Sequence, residues 1–196
     1  PMTSQPHPVA PALVAGILDG ATAAVLRRME NEYAATDTLS TRTVVVMYAV
    51  YSAHTAALAW AAGRRIWPAP LPRRASRAVG TALITLGSGV ALTGAEPFGA
   101  GKQISGIEPG SLHATGVYRY SRNPQYLGLG LAATGFAIAA RSAFTGLVAA
   151  GVWTAYHRWI PNEERHLARV FGKEYLNYQN QVRRWLGTRA TTSAAR

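Results

Sequence analysis

The chain has 196 residues, 48% of them apolar, and its 20 lysines and arginines against nine acidic residues give a formal net charge of +11. A mean hydropathy of only +0.02 conceals long uncharged apolar stretches alternating with short basic connectors, a division typical of a polytopic membrane protein. The absence of cysteine excludes disulfides, thiolate metal sites and cysteine nucleophiles, and the basic residues form no nucleic-acid motif, so anionic lipid headgroups are the partner expected for the charge.

The first apolar stretch, residues 9–26, is rich in alanine and ends at two arginines, Arg27 and Arg28. Its length predicts a short membrane-spanning helix, and a helix lying in the membrane interface is the alternative. The following residues, 29–42, are polar and mixed in charge, which predicts a loop.

Two further spans are predicted before the middle of the chain, at 43–62 and 78–94, separated by an arginine- and proline-rich connector at 63–77. The second span contains His54, and a lone histidine among small residues more often bonds a neighbouring helix than performs chemistry. In the third span, glycines at seven-residue spacing place a small-residue seam on one face, where a neighbouring helix can approach closely: Gly80, Gly87 and Gly94.

A polar, glycine-rich connector of about 30 residues follows, and structureless loops of that length are usually functional. It covers 95–124 and leads into a compact run of aromatic, basic and turn-forming residues at 116–128, GVYRYSRNPQYLG. Within the run, Asn123 and Pro124 form a helix-start signal, because asparagine suits the cap and proline suits the first helical position. Taken alone, the run is equally compatible with a membrane anchor and with a functional site.

Residues 125–160 consist of two apolar halves that are broken at Arg141 and Ser142. Each half covers only about 24–26 Å as a helix, short of a hydrocarbon core of about 30 Å, and together they are too long for one ordinary span. The pattern therefore predicts a tight helical hairpin whose two ends emerge on the same side of the membrane. Such a hairpin returns Pro161 to the neighbourhood of Asn123.

The C-terminal segment predicts short helices at the membrane surface. Pro161 is expected to close the hairpin, Glu163 to lie at the start of an amphipathic helix, and Gly172 to cap that helix before a restart. The last residues, 187–196, are rich in threonine, serine and alanine, and a disordered tail is expected there.

The adjacent acids Glu163 and Glu164 have two readings. Two acids in the first turn of a helix complement its dipole, which would be a purely structural role. Alternatively, the returning hairpin places a carboxylate pair beside Arg119, Arg122 and Asn123, where it could accept hydrogen bonds from an amino or ribose hydroxyl group of a charged cofactor.

Three motifs occur in order along the chain: GVYRYSRNPQYLG at 116–128, PNEERHL at 161–167, and FGKEYLNYQNQVRRWL at 171–186. With a helical hairpin between the first two, they resemble the C-terminal half of the isoprenylcysteine carboxyl methyltransferase family, whose wider kin include the phospholipid N-methyltransferases. The resemblance covers about residues 98–186, and the residues before it match only in being membrane spans.

The resemblance implies an integral membrane methyltransferase that uses S-adenosylmethionine and a lipophilic acceptor arriving from the bilayer. The expected fold is all-α, with about five transmembrane helices including the hairpin, plus a connector and C-terminal helices that close a pocket at the cytoplasmic face. That face would hold most of the lysines and arginines, although the arginine-rich connector 63–77 then falls outside. The expected division is three spans in 1–97, a catalytic region in 98–186 and a tail in 187–196.

Carried over position by position, the resemblance implies a cofactor site made of Gly116, Tyr118, Arg122, Asn123, Pro124, Tyr126, Gly128, Gly130, Glu163 and Glu164. Catalytic contributions are implied for Asn123, Glu164 and Arg119, and no metal is implied. For a carboxylate acceptor, Arg119 or Arg183 would supply a cationic clamp. For an amine or hydroxyl, Glu163 or Glu164 could take the proton.

One departure from the family pattern falls at Asn123, where the family usually has histidine. Asparagine keeps a hydrogen-bond donor and acceptor but cannot carry a proton near neutral pH, so a positioning role survives and a general-base role does not. Two other functions remain open: an NADPH-dependent sterol-reductase-like membrane enzyme, and a non-enzymatic scaffold that binds lipid. The sequence leaves the acceptor open among a carboxylate, an amine and a thiol, and it leaves the oligomeric state open.

Overall fold

The computed structural model describes residues 9–98 and 111–189, and within these ranges the chain is helical with no strand. The expected all-α fold class is confirmed. The α-helices, in chain order, are α1 (Val9–Thr36), α2 (Thr41–Arg64), α3 (Arg73–Ala95), α4 (Pro124–Ala140), α5 (Ala143–Phe171) and α6 (Lys173–Gln181).

Three helices of the described part, α1, α2 and α3, are long and apolar enough to cross a membrane. They correspond to the three spans expected in the N-terminal half. The hairpin helices α4 and α5 are not in this set, and α4 has only 17 residues. Length and composition therefore support three of the five expected spans.

The first helix is longer than expected, since α1 passes Arg28 and continues to Thr36 through the predicted loop. The extension has a physical cause, because Val25 and Met29 are buried and continue an apolar stripe at helical spacing toward Tyr33. Arg28 also pairs with Glu32 four residues on, at 3.2 Å.

The expectation that Pro161 closes the hairpin is wrong, because α5 runs without interruption from Ala143 to Phe171. An interior proline removes one helical hydrogen bond and costs about 3 kcal/mol in an exposed helix. Here the neighbouring turns are anchored by Trp159 and Ile160, which are 3% and 0% exposed, and by the buried Glu164. Packing on both sides of the proline keeps the helix continuous, and the helix ends as expected at Gly172, whose φ is +53°.

The glycine seam of α3 packs against α4. A Cβ at Gly87 would lie 2.5 Å from the carbonyl oxygen of Gly128, and one at Gly80 would lie 2.6 Å from that of Gly135. Only glycine allows the two backbones to approach this closely. The seam therefore serves a contact within the chain.

The expected hairpin is present, with α4 and α5 joined at Arg141 and Ser142. The turn is held by the α2–α3 connector, since the Ala143 amide donates to the Trp67 carbonyl at 2.8 Å. Because the two helices are antiparallel, α4 begins and α5 ends at the opposite end of the bundle, which we call the mouth.

At the mouth, residues 182–189 form a C-terminal strap. The Arg122 amide donates to the carbonyl of Arg183 at 3.1 Å, and the Gly187 amide donates to the carbonyl of Tyr120 at 2.7 Å. The first three residues of the expected disordered tail are thus tied to the fold, as the Arg189 amide also donates to the Gln181 carbonyl at 2.8 Å. Residues 190–196 lie outside the described ranges, as does the stretch 99–110 of the connector.

Candidate active site

A cavity of about 400 Å³ opens at the mouth, a size suited to a small-molecule ligand. Its walls come from α1, α2 and α3, from the start of α4, and from α5 and α6. Aromatic side chains dominate the described lining: Tyr33, Tyr48, Tyr51, Phe98, Tyr118, Tyr126, Trp159, Tyr175 and Tyr178. The faces of such rings carry partial negative charge and attract cations.

Glu163 is the one carboxylate among the described residues of the cavity wall. The side chain is half-buried, and its Oε2 atom is buried without a hydrogen-bond partner. Burial raises the pKa of Glu163 to about 7, and the neighbouring Glu164 adds to the shift, while Tyr126 and Trp159 partly offset it. This carboxyl group therefore changes its charge near neutral pH.

Glu164 has a different environment, although it is the next residue. Its Oε1 atom lies 2.7 Å from Nη2 of Arg122, and its Oε2 atom lies 2.7 Å from Nη2 of Arg184. Burial alone would raise the pKa of Glu164, but the hydrogen bonds from the two arginines outweigh it and hold that pKa below its ordinary value. The acidic pair is thus divided: Glu163 faces the cavity and Glu164 holds the surrounding elements together.

Arg122 is fully engaged by the protein. Besides Glu164, its Nη1 atom donates to the carbonyl oxygens of Val182 at 2.6 Å and Gln179 at 3.2 Å. Its side chain is only 4% exposed. The guanidinium joins the start of α4 to α5, α6 and the strap, and it borders the cavity without a free donor fork for a ligand.

Asn123 occupies the cap position before Pro124, as expected, but its side chain does not cap α4. Instead, its Nδ2 atom donates to the carbonyl oxygen of Arg184 at 3.2 Å. The residue is buried and borders the cavity. Its amide therefore positions the strap at the edge of the site.

Tyr118 is buried at the junction of the connector with α3 and α6. Its hydroxyl donates to the carbonyl oxygen of Gly94 at 2.9 Å, and it lies 3.2 Å from Nε2 of Gln125. The hydroxyl of Tyr178 in turn donates to the carbonyl of Tyr118 at 2.7 Å. These bonds fix the wall of the cavity at the place where the resemblance implies a cofactor pocket.

Two of the expected site glycines lie against helices and not in the cavity wall. Gly128 faces Gly87 and Ala91 of α3, and a Cβ on Gly130 would lie 2.5 Å from the ring of Trp153 on α5. The small size of these glycines is therefore used in helix packing, and the backbone approach to a cofactor that the resemblance implies stays a prediction.

Three other expected residues, described next, lie near the mouth cavity but are not among its described lining residues. Gly116 starts a 3₁₀ turn with φ of +58°, and Pro124 is buried as the first residue of α4. Arg119 is exposed, and so is Arg183, the other arginine considered as a clamp. The arginines that reach the acidic pair are Arg122 and Arg184, and both bind Glu164.

Sequence reasoning did not identify the contributions of α1 and α2 to the cavity. Tyr33 falls in the stretch expected to be a loop, and Tyr48 and Tyr51 lie in a span that carries no recognisable motif. Tyr48 and Tyr51 lie within one turn of each other on α2, at the end nearest the mouth. Aromatic residues clustered at one end of a span were the available signal, but the same pattern marks ordinary interfacial anchors.

His54 lies away from the mouth, beside a separate cavity of about 290 Å³ between α1, α2 and α5. Its Nδ1 atom donates to the carbonyl of Val50 at 2.9 Å, and its Nε2 atom lies 3.5 Å from the hydroxyl of Thr22 on α1. The contact joins two helices, in agreement with the structural reading of this histidine.

A family model described as "Phospholipid methyltransferase" matches residues 75–174, slightly more than half of the chain. The match begins inside α3, earlier than the motif resemblance at residue 98, and it ends at the start of α6. Comparison with curated proteins and with solved structures finds no match.

Proposed function

Because the chain belongs to the phospholipid methyltransferase family, we propose that its mouth cavity binds S-adenosylmethionine and that the methyl group passes to the amine of a lipophilic acceptor. The family indicates methyl transfer at a membrane, and α1 to α3 are helices that can cross one. The cofactor, the class of acceptor and a cytoplasmic position for the mouth are parts of the proposal.

The observation that carries the proposal is the pairing of a half-buried carboxylate with many aromatic faces in one cavity. When bound, the cofactor supplies a methyl group on a positively charged sulfonium. Aromatic faces attract such a cation, and the effect is largest where water is excluded. The unpartnered Oε2 atom of Glu163 adds a hydrogen-bond acceptor of the opposite charge. The described lining therefore fits a cationic nucleoside of this size.

The same lining favours an amine over a carboxylate as acceptor. A carboxylate would require a cationic clamp, and the donors of Arg122, the one arginine or lysine among the described lining residues, are already used by Glu164 and by backbone carbonyls. A protonated amine has no lone pair, so it must lose a proton before it can attack the methyl group. Glu163, with a pKa of about 7, is suited to accept it near neutral pH. A thiol could use the same base, but unlike a protonated amine it arrives without a positive charge that the aromatic faces could attract.

The residues around Glu163 would contribute by holding it in place. Arg122, Glu164 and Arg184 hold α5 and the strap against the start of α4, which fixes the Glu163 backbone relative to the tyrosines. Methyl transfer depends on holding donor and acceptor in near-attack geometry, so a rigid frame contributes directly to the rate. The acceptor itself would enter from the bilayer with its chains in the apolar layer.

The test supplies methyl-labelled S-adenosylmethionine to membranes that contain the protein, followed by mass spectrometry of the labelled lipid. We expect an N-methyl product that keeps its label after mild alkali, whereas a methyl ester would release it as methanol. Glu163→Gln should lower the rate by about 10²–10⁴-fold, and Glu174→Gln, an exposed acid on α6, should not. A label released by alkali would show that the acceptor is a carboxylate and not an amine. If no lipid in the membrane becomes labelled, the proposed methyl transfer is wrong.

A further inference from the structure

The outer face of the hairpin carries a second groove, of about 440 Å³, between α4, α5 and the strap. It is lined by Leu127, Trp153, Thr154, His157, Arg158 and Trp185. None of these residues borders the mouth cavity. The proposed methyl transfer therefore leaves this groove without a role.

The apolar wall of the groove is preformed. Trp185 packs edge-on against Trp153 with ring centroids 5.3 Å apart. The indole nitrogen of Trp153 donates to the hydroxyl of Thr134 inside the hairpin at 3.0 Å, so its polar edge is satisfied there. Trp185 is held by the strap, whose neighbouring Arg184 is paired with the buried Glu164.

The open side of the groove is basic. His157 and Arg158 are adjacent and exposed, and neither forms an ion pair or a side-chain hydrogen bond with another described residue. The described lining contains no acid. Asp19 and Arg158 both border the smaller cavity on the other side of α5, but the two do not form an ion pair.

The position of Arg158 along α5 bears on its depth in a membrane. If the turn of the hairpin marks one surface of a hydrocarbon layer of about 30 Å, Arg158, 15 residues after the start of α5, lies about 22 Å through that layer. A long arginine side chain can extend from that depth to the headgroup region at the mouth. Trp159 and Trp185 lie toward the same end of α5, in the next residue and in the strap, and such rings are typical of the membrane interface.

We propose that this groove binds the headgroup of a bilayer phospholipid. The Arg158 guanidinium pairs with the phosphodiester, a ring N–H of His157 donates a hydrogen bond to it, and Trp153, Trp185 and Leu127 contact the glycerol and the first carbons of the chains. Charge complementarity selects this occupant, because basic pockets between membrane helices take anionic headgroups and a purely apolar molecule would leave the Arg158 charge unpaired. The site is independent of the proposed reaction and needs no cofactor.

The experiment is native mass spectrometry of the detergent-solubilised full chain, titrated without cofactor with dioleoylphosphatidylglycerol. We expect one tightly bound lipid, which dioleoylglycerol does not replace because it lacks the phosphate, and which inorganic phosphate does not displace because it lacks the chains. Arg158→Gln should weaken this binding about fivefold, while Arg158→Lys should keep most of it.

Two variants separate this site from other lipid contacts. Arg77→Gln removes an exposed arginine at the opposite end of the bundle and should leave the affinity unchanged. Glu163→Gln alters the mouth cavity and should also leave it unchanged, so failure of the proposed methyl transfer and failure of this site are distinguishable. The inference would be overturned if the wild type and Arg158→Gln bound the phospholipid with equal affinity, or if only Glu163→Gln lost the binding. It would also be overturned if dioleoylglycerol bound equally well, if inorganic phosphate displaced the lipid, or if no lipid bound at all.

Discussion

Replacing Glu164 by alanine would remove the carboxylate that pairs with two arginines at the mouth. The side chains of Glu164 and Arg122 are 7% and 4% exposed, so this ion pair is buried, and its loss would leave the Arg122 guanidinium uncompensated. Removing one partner of a buried pair costs about 3–5 kcal/mol. For a chain of this size, that corresponds to a fall in melting temperature on the order of 10 °C. Arg184 is about one-third exposed and adds less.

The assay is thermal or chemical unfolding in detergent micelles, followed by far-ultraviolet circular dichroism. Glu30→Gln provides a matched control, because Glu30 pairs with Arg165 on the surface and such pairs contribute at most about 1 kcal/mol. A Glu164→Ala protein as stable as the wild type would refute the assignment of Glu164 to the frame of the site.

Two further predictions concern Glu163 and the α3–α4 contact. The contribution of Glu163 to stability should be full below about pH 4.5 and lost as the pH rises through about 7, because its pKa is raised to about 7 in the folded protein. Unfolding measured from about pH 5 to pH 8 should therefore show a decline on the order of 2 kcal/mol that Glu163→Gln lacks, and the same decline in both proteins would contradict the shift. Gly87→Ala should destabilise the fold by about 1–3 kcal/mol through its clash with Gly128. Gly89→Ala is the control, because its Cβ would meet nothing within 4 Å, and it should be neutral or slightly stabilising. Equal changes in the free energy of unfolding for the two variants would contradict the close contact between α3 and α4.

The fold was largely predictable because hydrophobic length and small-residue spacing are local signals. The break at Arg141 and Ser142 located the hairpin turn, and Gly172 located the end of α5. The failure at Pro161 has a nonlocal cause: the burial of Trp159 and Ile160 against other helices outweighs the local preference of proline. That compensation is invisible without the packed structure.

The location of the mouth cavity was predictable from the sequence, but its detailed contacts were less so. The motif containing Arg122 and Asn123 does meet the returning α5 at one cavity, and Tyr118, Tyr126 and Glu163 border it. Adjacent acids on a helix point in different directions, and only the positions of Arg122 and Arg184 decide which acid is neutralised. The tyrosines of α1 and α2 could not be assigned because their cavity role depends on how three helices pack.

The central claim is that the mouth cavity binds a cationic methyl-donor nucleoside, and equilibrium binding to the purified full chain tests it most directly. S-adenosylmethionine and its demethylated product should bind competitively with each other, while NADPH should not bind. Glu163→Gln should weaken the binding of S-adenosylmethionine more than that of the neutral thioether product, because the carboxylate faces the cavity that would hold the sulfonium. Binding of neither nucleoside would contradict the account, and binding of NADPH alone would point to a membrane reductase.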